Sequence, residues 1–366
     1  MTPLEILKHY WNYDSFRPLQ EDIISSVMEG YDTLALLPTG GGKSLCYQVP
    51  TMAKEGICLV VSPLVALMKD QVFQLRQRNI NAEFIVSSMN HYKIELALNQ
   101  CIFGNVKFLY VSPERLQNRV FIEHFKQMKV ALIAVDEAHC ISQWGYDFRP
   151  PYLEIAKIRT FHPKAPILAL TATATAEVVA DIQNQLNFHN PCVYKSSFFR
   201  ENLSFMVIQE ENKQGRLLRI LNQVQGSAIV YVRNRRRTKE IASFLMHNGI
   251  AAEAYNAGME QKERDIKQNI WQQSNNCVMV ATNAFGMGID KPDVRAVIHI
   301  DIPESIEAYF QEAGRGGRDG KKAYAVILYD ANDLARLDQN LEQDFPSQNI
   351  IRNIYKTICN FYNWFR

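Results

Sequence analysis

Short apolar runs rich in β-branched residues recur along this chain, each followed by a longer stretch with helical spacing, and that alternation limits the fold more than any other feature. Strands joined by helical crossovers run parallel, and a parallel sheet is covered by helices on both faces. Residues 34–37, 58–62, 108–111, 132–135 and 167–170 read as the buried strands of one series. Residues 227–232, 251–255, 278–281, 297–300 and 323–328 read as a second. The chain has 366 residues, about twice an ordinary domain, so two α/β domains with parallel sheets are expected. The boundary falls in 200–215, where an apolar segment turns polar, giving domains at 1–205 and 206–335 and a helical tail at 336–366.

Composition narrows the class without naming a function. A hydrophobic fraction of 47% and a charged fraction of 21% exclude a disordered or collagen-like chain. The net charge of +2 is too small to announce a nucleic-acid partner, so that reading has to come from motifs. No uninterrupted apolar run reaches the length of a membrane span, and the cytoplasm is the expected compartment. The seven cysteines are widely spaced with no C-x-x-C pair, which predicts reduced, mostly buried thiols and no zinc site.

Two motifs carry the chemistry. LLPTGGGKS runs from an apolar strand into Thr39, Gly40, Gly41, Gly42, Lys43 and Ser44, the order of a phosphate-cradling loop. Its glycines let backbone N–H groups turn to phosphates, Lys43 supplies a point charge, and Ser44 is suited to hold Mg²⁺. Leu37 stands where the strict pattern has glycine. In ALIAVDEAH, Asp136 and Glu137 follow a buried strand, where parallel sheets place their ligand sites. Asp136 is expected to hold Mg²⁺, Glu137 to orient and deprotonate the attacking water, and His139 to report nucleotide state to neighbouring loops.

Six ordered segments, PTGGGKSLCYQ, SPLVALMKDQV, DEAHCISQWGYDFRP, LTATAT, ATNAFGMGIDKPDVR and QEAGRGGRDG, together resemble the RecQ helicases of superfamily 2 from about Phe16 to Asp319. The resemblance implies two RecA-like domains with ATP between them. It also implies a DNA-stimulated ATPase that moves 3′ to 5′ on one strand and separates duplexes in recombination and repair. YDSFRPLQ looks like the family's adenine-recognition motif, so Tyr13 would stack on the base, Arg17 pack nearby and Gln20 bond its edge. QEAGRGGRDG would bring Arg318 to the phosphates as the finger and Arg315 as a supporting contact; the family's QETGRAGRDG differs at Ala313 and Gly316. Gly288 and Asp290 match the motif that bridges ATP and DNA.

For DNA, the aromatic-rich stretch after DEAH offers Trp144, Phe148 and Arg149 as a stacking and phosphate-binding platform. By resemblance Ser62, Lys69, Thr282 and Asn283 would lie along the phosphate backbone, where contacts position a strand without reading its sequence. The basic run RNRRRTKE either extends that track or is a solvated helix face. Single-stranded and partly duplex DNA are the expected partners of a monomer that does not enter membranes, with ATP and Mg²⁺ as cofactors. A non-unwinding translocase or RNA remodeller on the same core is the second reading, and a binding module with a decayed ATP site the third; intact Lys43, Asp136, Glu137 and Arg318 oppose the third. The family continues into a zinc module and a winged helix. Cys359 is the single cysteine after the last motif, so the tail is read as the start of a missing or shortened C-terminal region.

Overall fold

The computed structural model describes residues 1–86, 89–145, 147–285 and 291–364. The first series forms seven strands: β1 (Thr33–Leu36), β2 (Ile57–Val61), β3 (Ala82–Ile85), β4 (Phe108–Val111), β5 (Val130–Val135), β6 (Ile167–Thr171) and β7 (Cys192–Lys195). They pair in the order β3-β4-β2-β5-β6-β1-β7, parallel throughout. The second forms β8 (Leu203–Gln209), β9 (Ser227–Tyr231), β10 (Ala252–Tyr255), β11 (Val278–Ala281), β12 (Val294–His299) and β13 (Ala323–Tyr329), in the order β10-β11-β9-β12-β13-β8, also parallel. The expected α/β class with two parallel sheets is therefore what the chain adopts.

The near-continuous apolar character of the central strands follows from burial on both faces. Leu34 and Leu36 of β1 join Ile57, Leu59 and Val61 of β2 in one core, whereas Ala35 and Leu37 join Cys58 and Val60 in the other. Asp32, at the start of β1, is fully buried and ties neighbouring segments together. Its carboxylate accepts from the backbone N–H of Ile167 at 2.8 Å and of His189 at 2.6 Å, and pairs with the buried Arg159 at 2.7 Å. Removing either charge would strand the other in the interior, at a cost of about 3–5 kcal/mol.

The chain divides into two compact units, with a main break between Asn202 and Leu203. The first unit contains Met1–Asn202, Ala284–Asp293 and Glu304–Lys321; the second contains Leu203–Asn283, Val294–Pro303 and Lys322–Arg366. In the second unit Lys213 is buried, donates to the Ile300 carbonyl at 3.1 Å and pairs with Asp333, fixing the first turn of helix Ala331–Asp344. Helix Gln348–Trp364 follows and exposes Ile350, Ile351, Ile354, Tyr355 and Ile358. No described helix is long and apolar enough to cross a membrane.

Candidate functional site

The sheet order explains why two motifs almost a hundred residues apart meet. β1 and β5 flank β6, so the loops leaving their C-terminal ends are separated by one strand, roughly 10 Å at 4.8 Å per step. Leaving β1, the chain turns through Gly40 (φ 78°) and Gly42 (φ 76°) before helix Leu45–Ala53. A Cβ on Gly42 would displace the Gln20 amide, and the left-handed backbone there favours glycine. The helix is fixed from beneath: Tyr47 and Tyr110 hydroxyls meet at 3.2 Å, and Gln48 Nε2 donates to Gln71 Oε1 at 3.0 Å.

Leaving β5, Asp136 and Glu137 enter the same space. Asp136 N–H donates to the Val61 carbonyl at 2.9 Å, while the Ser62 hydroxyl donates to Asp136 Oδ2 at 3.4 Å. Burial, reinforced by the Glu137 carboxylate and opposed by Lys43, pushes Asp136 up to about 6. Burial also acts to raise Glu137, but the positive charge of Lys43, with His139 and the Arg315 guanidinium nearby, outweighs it and holds this carboxylate below its ordinary value. Glu137 takes a left-handed backbone (φ 47°, ψ 49°), a strain of about 1–3 kcal/mol that a non-glycine residue carries when position matters more than comfort. Its Oε2 is buried, faces His139 Nδ1 at 3.5 Å and has no hydrogen-bond partner.

His139 is buried, and burial lowers its pKa, so the ring is neutral at pH 7. Its Nδ1 lies 2.9 Å from Thr171 Oγ1, and that hydroxyl donates onward to the Thr173 carbonyl at 3.1 Å. With the hydroxyl proton spent on Thr173, the imidazole N–H must sit on Nδ1. LTATAT thus supplies an orienting contact that its composition alone did not reveal.

These groups open on a cavity of about 540 Å³ within the first unit. Its lining includes Tyr13, Arg17, Gln20, Lys43, Ser44, Asp136, Glu137, Arg315 and Arg318. Arg315 is buried, and the Arg318 side chain runs past Gly40 close enough that a Cβ there would stand 3.2 Å from its Cγ. Tyr13 is 52% exposed, a free aromatic face at the cavity rim. Arg17 and Gln20, which also line this cavity, bond the glycine loop that follows β1. Arg17 Nη1 donates to Gly40 O, and Gln20 Nε2 donates to Gly42 O at 3.0 Å while its Oε1 accepts from Arg17 N–H at 2.9 Å. Gly288 and Asp290 lie outside the described residues.

The residues expected to contact DNA separate by environment. Trp144 is 79% exposed and Phe148 half-buried. Arg149 is engaged by Asp147 through Nε at 3.2 Å and Nη2 at 2.9 Å. Lys69 is exposed on helix Val65–Gln77. Ser62, expected along the DNA backbone, is buried with its hydroxyl turned to Asp136. In the second unit Thr282 is buried and Asn283 exposed. In the basic run Arg237 pairs with Asp301 and Arg236 with Glu240 at 2.8 Å, so half of that arginine cluster is committed within the protein.

Residues 17–182 match the DEAD/DEAH box helicase family and residues 212–320 the helicase conserved C-terminal domain. The chain is 44% identical over 341 residues to the ATP-dependent DNA helicase RecQ of Pasteurella multocida, covering 93% of this chain and 54% of that protein. It is 38% identical over 364 residues to the probable ATP-dependent DNA helicase RecS of Bacillus subtilis, covering 98% of this chain and 73% of that protein. Among solved structures, S. cerevisiae Dbp5 bound to RNA and ADP BeF3 shares the fold with a TM-score of 0.70 at 16% identity, over 93% of this chain and 91% of that one. The chain spans a little over half the length of several RecQ relatives it matches. On this identity, with both helicase domains matched in order around a phosphate loop and a DEAH pair, the chain belongs to the RecQ family of ATP-dependent DNA helicases.

Proposed function

We propose that this chain is a DNA-stimulated ATPase that moves 3′ to 5′ along single-stranded DNA and separates duplexes. The observation that carries the reading is the convergence of Lys43, Asp136, Glu137, Arg315 and Arg318 on one cavity large enough for a nucleotide. A buried, unpartnered Glu137 oxygen and a loop whose Gly40 and Gly42 take left-handed backbones fit a phosphate group and its attacking water. Ser44 and Asp136 would hold Mg²⁺, which when bound neutralises phosphate charge.

Lys43 and the loop N–H groups bind and orient the phosphates. Glu137, ionised because cations surround it and aimed by His139, takes the proton of the attacking water. Arg318 meets the charge that builds as the phosphoryl group leaves, with Arg315 in support. Trp144 gives bases a stacking surface, and Lys69 and Asn283 contribute polar groups to the strand. Affinity for DNA that differs between nucleotide states biases the movement. The test is the ATPase rate with single-stranded DNA and with RNA of equal length, alongside strand separation on 3′-tailed and 5′-tailed duplexes. DNA stimulation and 3′-tailed preference are expected; stimulation by RNA alone favours the RNA remodeller.

A further inference from the structure

The loop that carries Arg315 and Arg318 is held by side chains outside the nucleotide cavity. Arg200 Nη1 donates to the Gly314 carbonyl at 3.0 Å and its Nη2 to the Gly317 carbonyl at 2.6 Å. Asn202 Nδ2 donates to the same Gly317 carbonyl at 2.7 Å and to that of Lys321 at 2.8 Å. Thr39, in the phosphate loop, donates its hydroxyl to the Gly314 carbonyl at 3.0 Å. A Cβ on Gly314 would collide with that hydroxyl, so the contact depends on glycine there. The carbonyl just before Arg315 and the one just before Arg318 are therefore both captured by side chains.

Such capture has a physical purpose. Gly316 and Gly317 stand in succession, Gly317 at φ 60°, and two glycines leave a loop little stiffness of its own. A guanidinium is a rigid planar fork that can grip two carbonyls at once, whereas an ammonium is a point donor on a flexible stem. Arg200 is half-buried and does not line the cavity, so it reaches a nucleotide only through the loop it holds.

We propose that Arg200, assisted by Asn202, is a positioning residue for ATP hydrolysis that fixes the arginine loop so that Arg318 meets the phosphates. This rests on the reading of the cavity as an ATP site. The experiment is a double-mutant cycle on the whole chain: steady-state ATP hydrolysis at saturating single-stranded DNA for wild type, Arg200→Ala, Arg318→Ala and the double variant, with fluorescent-ADP affinity and thermal unfolding measured in parallel. Arg200→Ala is expected to lower kcat about ten- to hundredfold, the loss that a misplacement of the order of 1 Å produces. KM for ATP should stay within about threefold, because ground-state phosphate contacts remain. The double variant should be no slower than Arg318→Ala alone, and Arg200→Lys should not restore the rate. Losses that multiply in the double variant, or full rescue by lysine, overturn the positioning role while leaving the ATP site standing. An unchanged kcat in Arg318→Ala removes both. Should Arg200→Ala not fold, Asn202→Ala, which breaks the bonds to Gly317 and Lys321, replaces it in the same cycle, with a smaller loss and the same absence of multiplication.

Discussion

His139 and Thr171 are joined side chain to side chain, Nδ1 to Oγ1 at 2.9 Å, between the loop after β5 and the C-terminal end of β6. The bond fixes the ring that faces Glu137, so the proposed water-activating carboxylate is aimed by a residue more than thirty positions away in sequence. Thr171→Val keeps the shape and removes the hydroxyl. It should cost about 1–3 kcal/mol of stability through an unsatisfied buried imidazole, measured by denaturant unfolding, and lower kcat more than it raises KM.

Asp136 gives a pH test with a definite sign. Its folded value of about 6 exceeds its ordinary 3.8, so between the two the folded protein keeps a proton that the unfolded chain has released. This carboxylate therefore subtracts stability as pH rises through that window, and the loss persists above it. Asp136→Asn, assayed without nucleotide, should unfold at a higher temperature than wild type at pH 7.5, with the gain vanishing below about pH 4. A gain that is the same at every pH would contradict the assignment.

Arg318→Ala should leave ATP affinity nearly intact and reduce kcat sharply, since its charge acts most as the phosphoryl group departs. Affinity that collapses with kcat preserved would make Arg318 a ground-state ligand and Arg315 the better finger.

Trp144→Ala tests whether the aromatic-rich loop does more than bind. A stacked base is worth about 1–3 kcal/mol, so DNA affinity should fall roughly five- to a hundredfold. Saturating DNA overcomes a loss of affinity but not a broken relay. Because the loop begins a few residues after Glu137, the maximal rate at saturating DNA should also fall, and a wild-type maximum would reduce Trp144 to a platform.

Much of this was legible in the sequence because the central strands are buried on both faces and so appear as unbroken apolar runs. The strands that sequence reading did not find, β3, β7 and β8, all lie at sheet edges, where one flank lacks a partner and sequences such as Ala-Glu-Phe-Ile mix polar with apolar residues. The phosphate loop and DEAH pair were legible because their chemistry sits in contiguous residues. The long-range contacts were not: Thr171, Arg200 and Asn202 bond across long sequence separations, and ordinary polar side chains carry no local mark of such contacts. Ser62 and Gln20 show the same limit from the other side, since their nearest partners are Asp136 and the glycine loop, contacts set by tertiary placement.

The most direct test of the ATP site is steady-state ATP hydrolysis by the whole chain, with and without saturating single-stranded DNA, in wild type and in Glu137→Gln. The amide keeps the shape of the side chain and cannot take a proton, so nucleotide binding should survive. The account predicts DNA-stimulated turnover in wild type and none above background in Glu137→Gln, with fluorescent-ADP affinity unchanged. Turnover at the wild-type rate in folded Glu137→Gln would contradict it.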